Sequence, residues 1–167
     1  MGAIKVVDYD PGWPDIFERE KSLIAKQLGD MACDVHHIGS TSVVGLAAKP
    51  KIDIDVVVRT DAIVSEAVAQ IMLLPDLTFH GDPYGDGMWT FTSGRGSYGT
   101  RLYICGPDNA KHVKRILFRD WLRAHPDDAA QYAALKRRLA LTANDDWTAY
   151  TGGKSAFINA IVGRASV

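Results

Sequence analysis

The chain has 167 residues, which predicts a single domain, and 19 Lys and Arg against 20 Asp and Glu give a formal net charge of −1. That balance argues against nucleic acid as a partner, since nucleic-acid-binding domains are usually strongly basic. The N-terminal residues 1–5 lack the apolar stretch of a secretory signal, and no apolar run is long enough to span a membrane. We therefore expect a cytoplasmic protein without a membrane partner, and Cys33 and Cys105 as free buried thiols.

The first half of the chain predicts helices alternating with strands. Apolar residues at helical spacing predict a helix over residues 14–29, and a short strand follows over residues 35–38. Residues 51–58 alternate and are β-branched, which is typical of a strand. Thr60 is expected to cap a helix that Pro75 ends.

The second half predicts hairpins and then helices. Strands are expected around residues 77–80, 88–92 and 99–105, and the glycine-rich loops 81–87 and 93–96 between them favour antiparallel pairing. Asp108 is expected to cap a helix that ends near residue 124, Pro126 to start another, and a last helix to cover residues 154–162. The fold class is thus α/β (α+β): a mixed β-sheet over about residues 1–106 with a packed helical C-terminal part over about 107–167.

The Gly39-Ser40 turn is the first candidate binding element. Ser40, Thr41 and Ser42 place three hydroxyls beside backbone N–H groups, and a helix beginning near Ser42 or Val43 would offer an anion site at its N-terminus. Phosphate oxygens are natural ligands for such a turn. A Gly-Ser pair alone is more often a simple cap without a ligand.

Asp53 and Asp55 are the second candidate element. They lie two apart on the predicted strand 51–58, so both carboxylates project from one face of the sheet. Two acids this close repel each other unless a cation neutralises them, and Mg²⁺ binds carboxylate and phosphate oxygens together. The pair alone is equally compatible with a solvated sheet face.

Several segments together resemble the GrpB family, within the nucleotidyltransferase superfamily. A Gly-Ser turn followed by an Asp-x-Asp strand is the superfamily pattern, present here as Gly39-Ser40 and Asp53-Ile54-Asp55. The segments that look like the GrpB family are 9–20, 37–43, 45–50, 52–54 and 118–136. The resemblance covers about residues 7–161.

The resemblance implies a nucleotidyltransferase-like fold that binds a nucleotide or another phosphorylated small molecule, with Mg²⁺ as the expected cofactor. It also implies a link to coenzyme A metabolism, because family members occur fused to dephospho-CoA kinase. The expected reaction is transfer of a nucleotidyl group to a hydroxyl acceptor, with Asp53 and Asp55 as catalytic and metal-binding residues. The residues expected to bind phosphate or nucleotide are Gly39, Ser40, Thr41, Ser42, Lys49, Arg101 and Arg119.

One departure from the superfamily favours an alternative. Active members commonly carry a third carboxylate on a neighbouring strand, which completes a site for two metal ions. Strand 99–105 is the candidate neighbour, and if Leu102 and Ile104 face the core, it presents Arg101 and Tyr103 to the site. A non-catalytic phosphate-ligand or partner-binding module is therefore the alternative function.

The C-terminal helices carry further charged residues. Lys111, Arg115, Arg119 and Arg123 recur every four residues, which is typical of a solvated edge, although Arg119 or Arg123 could instead turn toward phosphates. Asp120 is expected to form a structural ion pair, and His37 to pack and hydrogen-bond. Gly152-Gly153-Lys154-Ser155 lacks the first glycine and the strand of a P-loop, which favours Lys154 near solvent or within reach of a phosphate.

Overall fold

The structure, a computed structural model, describes residues 4–94 and 99–167, apart from the side chain of Cys33. Its strands, in chain order, are β1 Ala32–Ile38, β2 Ile52–Val58, β3 Leu77–Gly81, β4 Trp89–Ser93 and β5 Thr100–Cys105. Within the described residues they form one sheet in the order β1-β2-β5-β4-β3. β2 and β5 run parallel, and the other neighbouring pairs are antiparallel. The predicted mixed sheet and its hairpins are confirmed.

The helices, in chain order, are α1 Trp13–Leu28, α2 Val64–Ile71, α3 Ala110–Ala124, α4 Pro126–Thr142, α5 Trp147–Gly152 and α6 Ser155–Ala165. The predicted helical C-terminal part is confirmed. α5 was not predicted, because six residues are too few to show helical periodicity.

Two predicted helix caps are wrong. Asn109, not Asp108, caps α3, because its side chain accepts hydrogen bonds from Lys111 N at 2.9 Å and His112 N at 3.1 Å. Thr60 makes no side-chain cap, since a 3₁₀ turn over Asp61–Ile63 separates it from α2.

The two faces of the sheet have different roles. Ile52, Ile54, Val56 and Val58 of β2 join Leu102 and Ile104 of β5 in the main core, which α1 and α2 cover. The alternate residues of β2 and β5 face the opposite side, where α3 packs against β1. Alternation within β2 therefore separates the core from the candidate site.

Three predictions concern the chain ends, membrane spans and thiols. No helix in the described ranges combines the length and the apolar character of a membrane span. Cys105 is a buried free cysteine, as predicted. The predictions for residues 1–3, for residues 95–96 of the loop 93–96 and for the Cys33 thiol fall outside what the structure describes.

Candidate functional site

Gly39 ends β1 in a conformation that only glycine adopts readily. Its φ of 71° and ψ of −176° lie in a region that other residues avoid. A Cβ atom on Gly39 would stand 2.8 Å from Asp53 Oδ2, which is closer than real Cβ contacts. The Gly-Ser turn therefore lies directly against the first acid of the Asp-x-Asp strand.

The turn after Gly39 is shorter than predicted. Ser40–Ser42 forms a single 3₁₀ turn, and Val43 is already extended. The prediction of a helix beginning near Ser42 or Val43 is wrong, because the extended Val43 and the positive φ of Gly45 interrupt it. Any anion bound here must rely on side-chain cations more than on a helix N-terminus.

The Thr41 and Ser42 hydroxyls are used within the turn. Ser42 Oγ donates a hydrogen bond to Gly39 O at 2.5 Å, and Thr41 Oγ1 donates one to Lys51 O at 3.2 Å. Both side chains are buried. Their predicted phosphate-binding role stays a prediction, and the geometry assigns them to holding the turn.

His37 also supports the turn from its buried side. Its Nε2 lies 2.9 Å from Thr41 Oγ1, and its ring stacks on Phe17 with centroids 4.7 Å apart. Burial, together with Arg123 and Arg119, lowers the pKa of His37 to about 4. The ring is therefore neutral near pH 7, and the predicted packing and hydrogen-bonding role is confirmed.

The strand register confirms which side chains share the site face. Asp53 lies beside Arg101, and Asp55 beside Tyr103, in the parallel pairing of β2 with β5. Leu102 is buried in the core on the other face, as the alternation predicted. Arg101 and Tyr103 thus occupy the place at which active members of the superfamily commonly carry a third carboxylate.

Asp55 is held by a buried ion-pair network. Its side chain is fully buried, and its two oxygens accept from different donors. His112 Nδ1 lies 2.9 Å from Oδ2, and Arg115 Nη1 donates to Oδ1 at 2.7 Å. The predicted catalytic and metal-binding role of Asp55 stays a prediction, and the structure gives this residue structural partners instead.

Asp53, unlike Asp55, has a carboxylate oxygen that no other group binds in the described structure. Its Oδ1 atom is buried and has no hydrogen-bond partner in the described structure. Burial raises the pKa of Asp53, although Arg101, Arg115 and Lys49 act in the opposite direction. A buried carboxylate oxygen without a partner is costly, so this oxygen is suited to receive a cation or a donor from a ligand.

The available donors fit one metal ion better than two. No group of three or more His, Cys, Asp or Glu side chains that could hold a metal occurs among the described residues. Asp53 Oδ1 suits one Mg²⁺ whose other ligands are phosphate oxygens and water, which is how Mg²⁺ is usually held. A site for two ions does not fit these residues, because His112 and Arg115 occupy Asp55.

A small cavity of about 150 Å³ opens between Gly39-Ser40 and the C-terminal helices. We name it the lysine cavity. One carboxylate, Asp53, lines it, and its cationic lining residues are Lys49, Lys51, Arg101, Lys136 and Lys154. The structure thus brings together, around a strongly positive space, the predicted residues Gly39, Ser40, Thr41, Lys49, Asp53 and Arg101.

Lys136 is the most deeply buried of these cations, with 2% of its surface exposed. Its Nζ donates to Ser40 Oγ at 2.7 Å and also to Ala47 O. Burial, together with the nearby cations Lys154, Arg137 and Lys49, lowers the pKa of Lys136 to about 7. This lysine therefore ties α4 to the Gly-Ser turn.

Two further lysines of the cavity, Lys49 and Lys154, pack on aromatic rings. Lys49 Nζ lies 4.4 Å from the ring centroid of Trp147, and Lys154 Nζ lies 4.6 Å from that of Tyr150. Burial and the neighbouring Lys154 lower the pKa of Lys49 to about 8. Ring contacts fix both ammonium groups at the cavity without neutralising them.

Two residues in the basic row of α3, Arg115 and Arg119, turn toward the sheet, and the other two stay largely exposed. Lys111 pairs with Asp86 at 2.6 Å, and Arg115 pairs with Asp55. Arg119 Nη1 donates to His37 O at 3.1 Å. The interpretation of this row as a solvated edge holds for Lys111 and Arg123, whose side chains are 40% and 45% exposed, but is wrong for Arg115 and Arg119, whose side chains are 21% and 12% exposed.

Arg119 and Arg123 bind the backbone on either side of the turn. Arg123 Nη2 donates to Ser42 O at 2.8 Å, and Arg119 binds the carbonyl of His37. Asp120 lies 2.8 Å from Arg119 Nε, which confirms the predicted structural ion pair. The structure does not bring Arg119 to the lysine cavity, so its predicted phosphate-binding role has no support from the geometry.

Residues at the site that were not predicted from the sequence include Lys51, His112, Tyr132 and Lys136. Tyr132 and Lys136 lie one helical turn apart on the buried face of α4. A lysine at an otherwise apolar helical position was the available signal, since such a charge needs a buried partner. His112 gave no signal, because its partner Asp55 is 57 residues away in sequence.

The family follows from comparison with known proteins. The model of the family described as "GrpB protein" matches residues 3–164. The chain belongs to the GrpB family. It is 34% identical to the UPF0157 protein BH1888 of Halalkalibacterium halodurans, covering 98% of this chain and 83% of that protein. The crystal structure of the conserved protein GrpB from Enterococcus faecalis superposes with a TM-score of 0.86 at 31% identity, covering 96% of both chains.

More distant matches concern the fold and the family's context. The Cid1 poly(U) polymerase crystal structure matches with a TM-score of 0.51 at 10% identity, over 78% of this chain and 40% of that one. This likeness shows a nucleotidyltransferase-like fold and nothing finer. A dephospho-CoA kinase of Mycolicibacterium paratuberculosis is 28% identical over 97% of this chain but only 46% of its own length.

Proposed function

We propose that the lysine cavity binds the phosphate groups of a nucleotide or a related phosphate ester. The observation that carries this proposal is the convergence of five cations with one carboxylate around the Gly39-Ser40 turn. Phosphates are the anions that several ammonium groups and a guanidinium bind together by charge-assisted hydrogen bonds. The nucleotidyltransferase-like fold supports the same ligand class.

The electrostatics of the lysine cavity support an anionic ligand. Lys49, Lys136 and Lys154 all have lowered pKa values, with burial as the largest cause. Neighbouring cations contribute in the same direction, so these groups repel one another. A bound phosphate would relieve the repulsion and restore their charged forms.

Mg²⁺ would enter this site together with the phosphates. Asp53 Oδ1 is the protein oxygen that fits such an ion. When bound, Mg²⁺ would supply charge neutralisation at the phosphate oxygens. Asp53 would hold the ion, and Arg101 and the lysines would bind phosphate oxygens.

If the site is catalytic, the reaction is transfer of a nucleotidyl group to a hydroxyl acceptor. The second candidate function is binding without transfer, and the specific observation in its favour is the arginine beside Asp53, at the place of a third carboxylate. Labelled nucleotide separates the two: turnover supports transfer, and saturable binding without turnover supports the binding module. The link to coenzyme A metabolism stays a prediction.

Calorimetric titration of ATP with and without Mg²⁺ tests the proposed function. The intact chain should bind ATP, and Lys154→Gln should weaken binding because it removes one cavity cation. Lys26→Gln in α1 is the matched control, since Lys26 is exposed and does not line the cavity. Asp53→Asn should remove only the dependence on Mg²⁺. Equal ATP affinity in the intact chain and Lys154→Gln would reject the proposal.

A further inference from the structure

A second cavity shares a wall with the lysine cavity. It has a volume of about 340 Å³, and the residues that line both cavities are Gly39, Ser40, Asp53, Arg101 and Tyr132. The unpartnered Oδ1 atom belongs to one of these shared residues, Asp53. One ligand can therefore contact both spaces across Asp53.

The second cavity has aromatic and aliphatic walls, and we name it the aromatic cavity. Tyr103, Phe118 and Ile158 line it beside the shared Tyr132. Phe118 packs edge-on against Tyr132, with ring centroids 5.1 Å apart and planes at 86°. Arg115 lies over the Tyr103 ring at 3.9 Å. Because these contacts hold the rings in place, the aromatic cavity offers a preformed surface for a flat ligand group.

Two of the four cations that line the aromatic cavity are paired with carboxylates outside its lining. Arg115 is bound to the buried Asp55, and Lys111 pairs with Asp86. Of the other two, Lys114 is exposed at the edge of the cavity, and Arg101 is shared with the lysine cavity. By contrast, the lysine cavity holds five cations against Asp53. The charge distribution therefore favours phosphate in the lysine cavity and an uncharged ring in the aromatic cavity.

The sizes of the two cavities also favour phosphate in the lysine cavity and the organic part of the ligand in the aromatic cavity. Sites for small organic ligands usually measure about 300–1,000 Å³. The lysine cavity, at about 150 Å³, is too small for a whole phosphate ester, and the aromatic cavity at about 340 Å³ is within that range. A ligand that binds its phosphate group in the lysine cavity would place its organic part in the aromatic cavity.

We infer that the ligand is an aromatic phosphate ester that occupies both cavities, with its phosphate in the lysine cavity and its ring against Phe118 and Tyr103. The inference rests on the proposed function and adds the class and the orientation of the ligand. An inorganic polyphosphate or a purely aliphatic ester would use only half of the site.

Two probes of equal charge test this inference on the intact chain. Phenyl phosphate and methyl phosphate differ in the ring alone, and calorimetry gives the affinity of each. We expect phenyl phosphate to bind about tenfold more tightly, as one stacked ring typically allows. Equal affinities would overturn the inference and leave the proposed function standing, whereas binding of neither probe would overturn both.

Two variants assign the ring and the phosphate to their cavities. Phe118→Leu keeps an apolar side chain and removes the ring, so it should lower the phenyl phosphate affinity and leave methyl phosphate unchanged. Lys154→Gln should lower both affinities by the same factor. If Phe118→Leu lowers the affinity for both probes equally, the inference is contradicted. Thermal denaturation of the variant checks that it folds.

Discussion

Gly39 and Asp53 are in direct contact across the end of strands β1 and β2, and the contact leaves no space for a side chain at residue 39. A Cβ atom there would stand 2.8 Å from Asp53 Oδ2. The same Asp53 side chain carries the buried Oδ1 atom without a partner. The glycine thus allows the turn to approach the one carboxylate that lines the lysine cavity.

Replacing Gly39 by alanine should therefore damage both the fold and the site. The backbone conformation alone costs a non-glycine residue about 1–3 kcal/mol, and the overlap with Asp53 adds to that. Urea denaturation should show the lower free energy of unfolding, and ATP titration a weaker affinity. Gly45→Ala is the control, since Gly45 also has a positive φ, of 80°, but no atom within 4 Å of its Cβ position. Equal losses in the two variants would refute the role of the contact.

The two acids of β2 should respond oppositely to amide substitution. Asp55→Asn removes the charge that pairs with Arg115 and His112, and such buried pairs cost about 3–5 kcal/mol to break. Asp53→Asn should stabilise the fold near pH 8, because a raised carboxyl pKa means that the charged form opposes folding above the ordinary pKa. Urea denaturation measures both. Similar losses in the two variants would contradict the division of roles.

Phosphate binding should weaken as the pH rises above 7. Lys136 has a pKa of about 7, so above that pH it must take up a proton when phosphate binds. Linkage makes the affinity fall by up to about tenfold per pH unit for one proton. Lys49, with a pKa of about 8, adds to the effect at higher pH.

Calorimetry of tripolyphosphate in two buffers with different ionisation enthalpies measures this proton uptake. Lys136→Met should remove most of it, and the exposed Lys26→Gln should leave it unchanged. An affinity that stays constant from about pH 7 to pH 9, where Lys136 loses its proton, would argue against Lys136 as a phosphate ligand.

The sequence predicted local features well and long-range partners poorly. Alternation in residues 51–58 placed Asp53 and Asp55 on one face, and alternation in β5 placed Arg101 and Tyr103 beside them, as the register confirms. The different roles of the two acids could not be predicted, since they depend on His112 and Arg115 on α3. Only the packing of α3 against the sheet brings these groups together.

The partners of the basic residues could not be predicted from the sequence either. Four-residue spacing identified the row on α3, but it did not reveal that Arg119 and Arg123 bind the carbonyls of His37 and Ser42. Lys136 lies in α4 and Lys154 in the turn before α6, and their meeting at the lysine cavity depends on how these two segments fold back onto the Gly-Ser turn. The cavity is thus a tertiary feature that no local motif encodes.

A crystal structure of the chain with a non-hydrolysable ATP analogue and Mg²⁺ tests the central claim most directly. We predict phosphate oxygens within hydrogen-bond distance of Ser40 Oγ and Lys154 Nζ, with Mg²⁺ beside Asp53 Oδ1. The adenine ring should lie against Phe118. A nucleotide bound outside the lysine cavity, or a cavity left empty at saturating nucleotide, would contradict the assignment of this site.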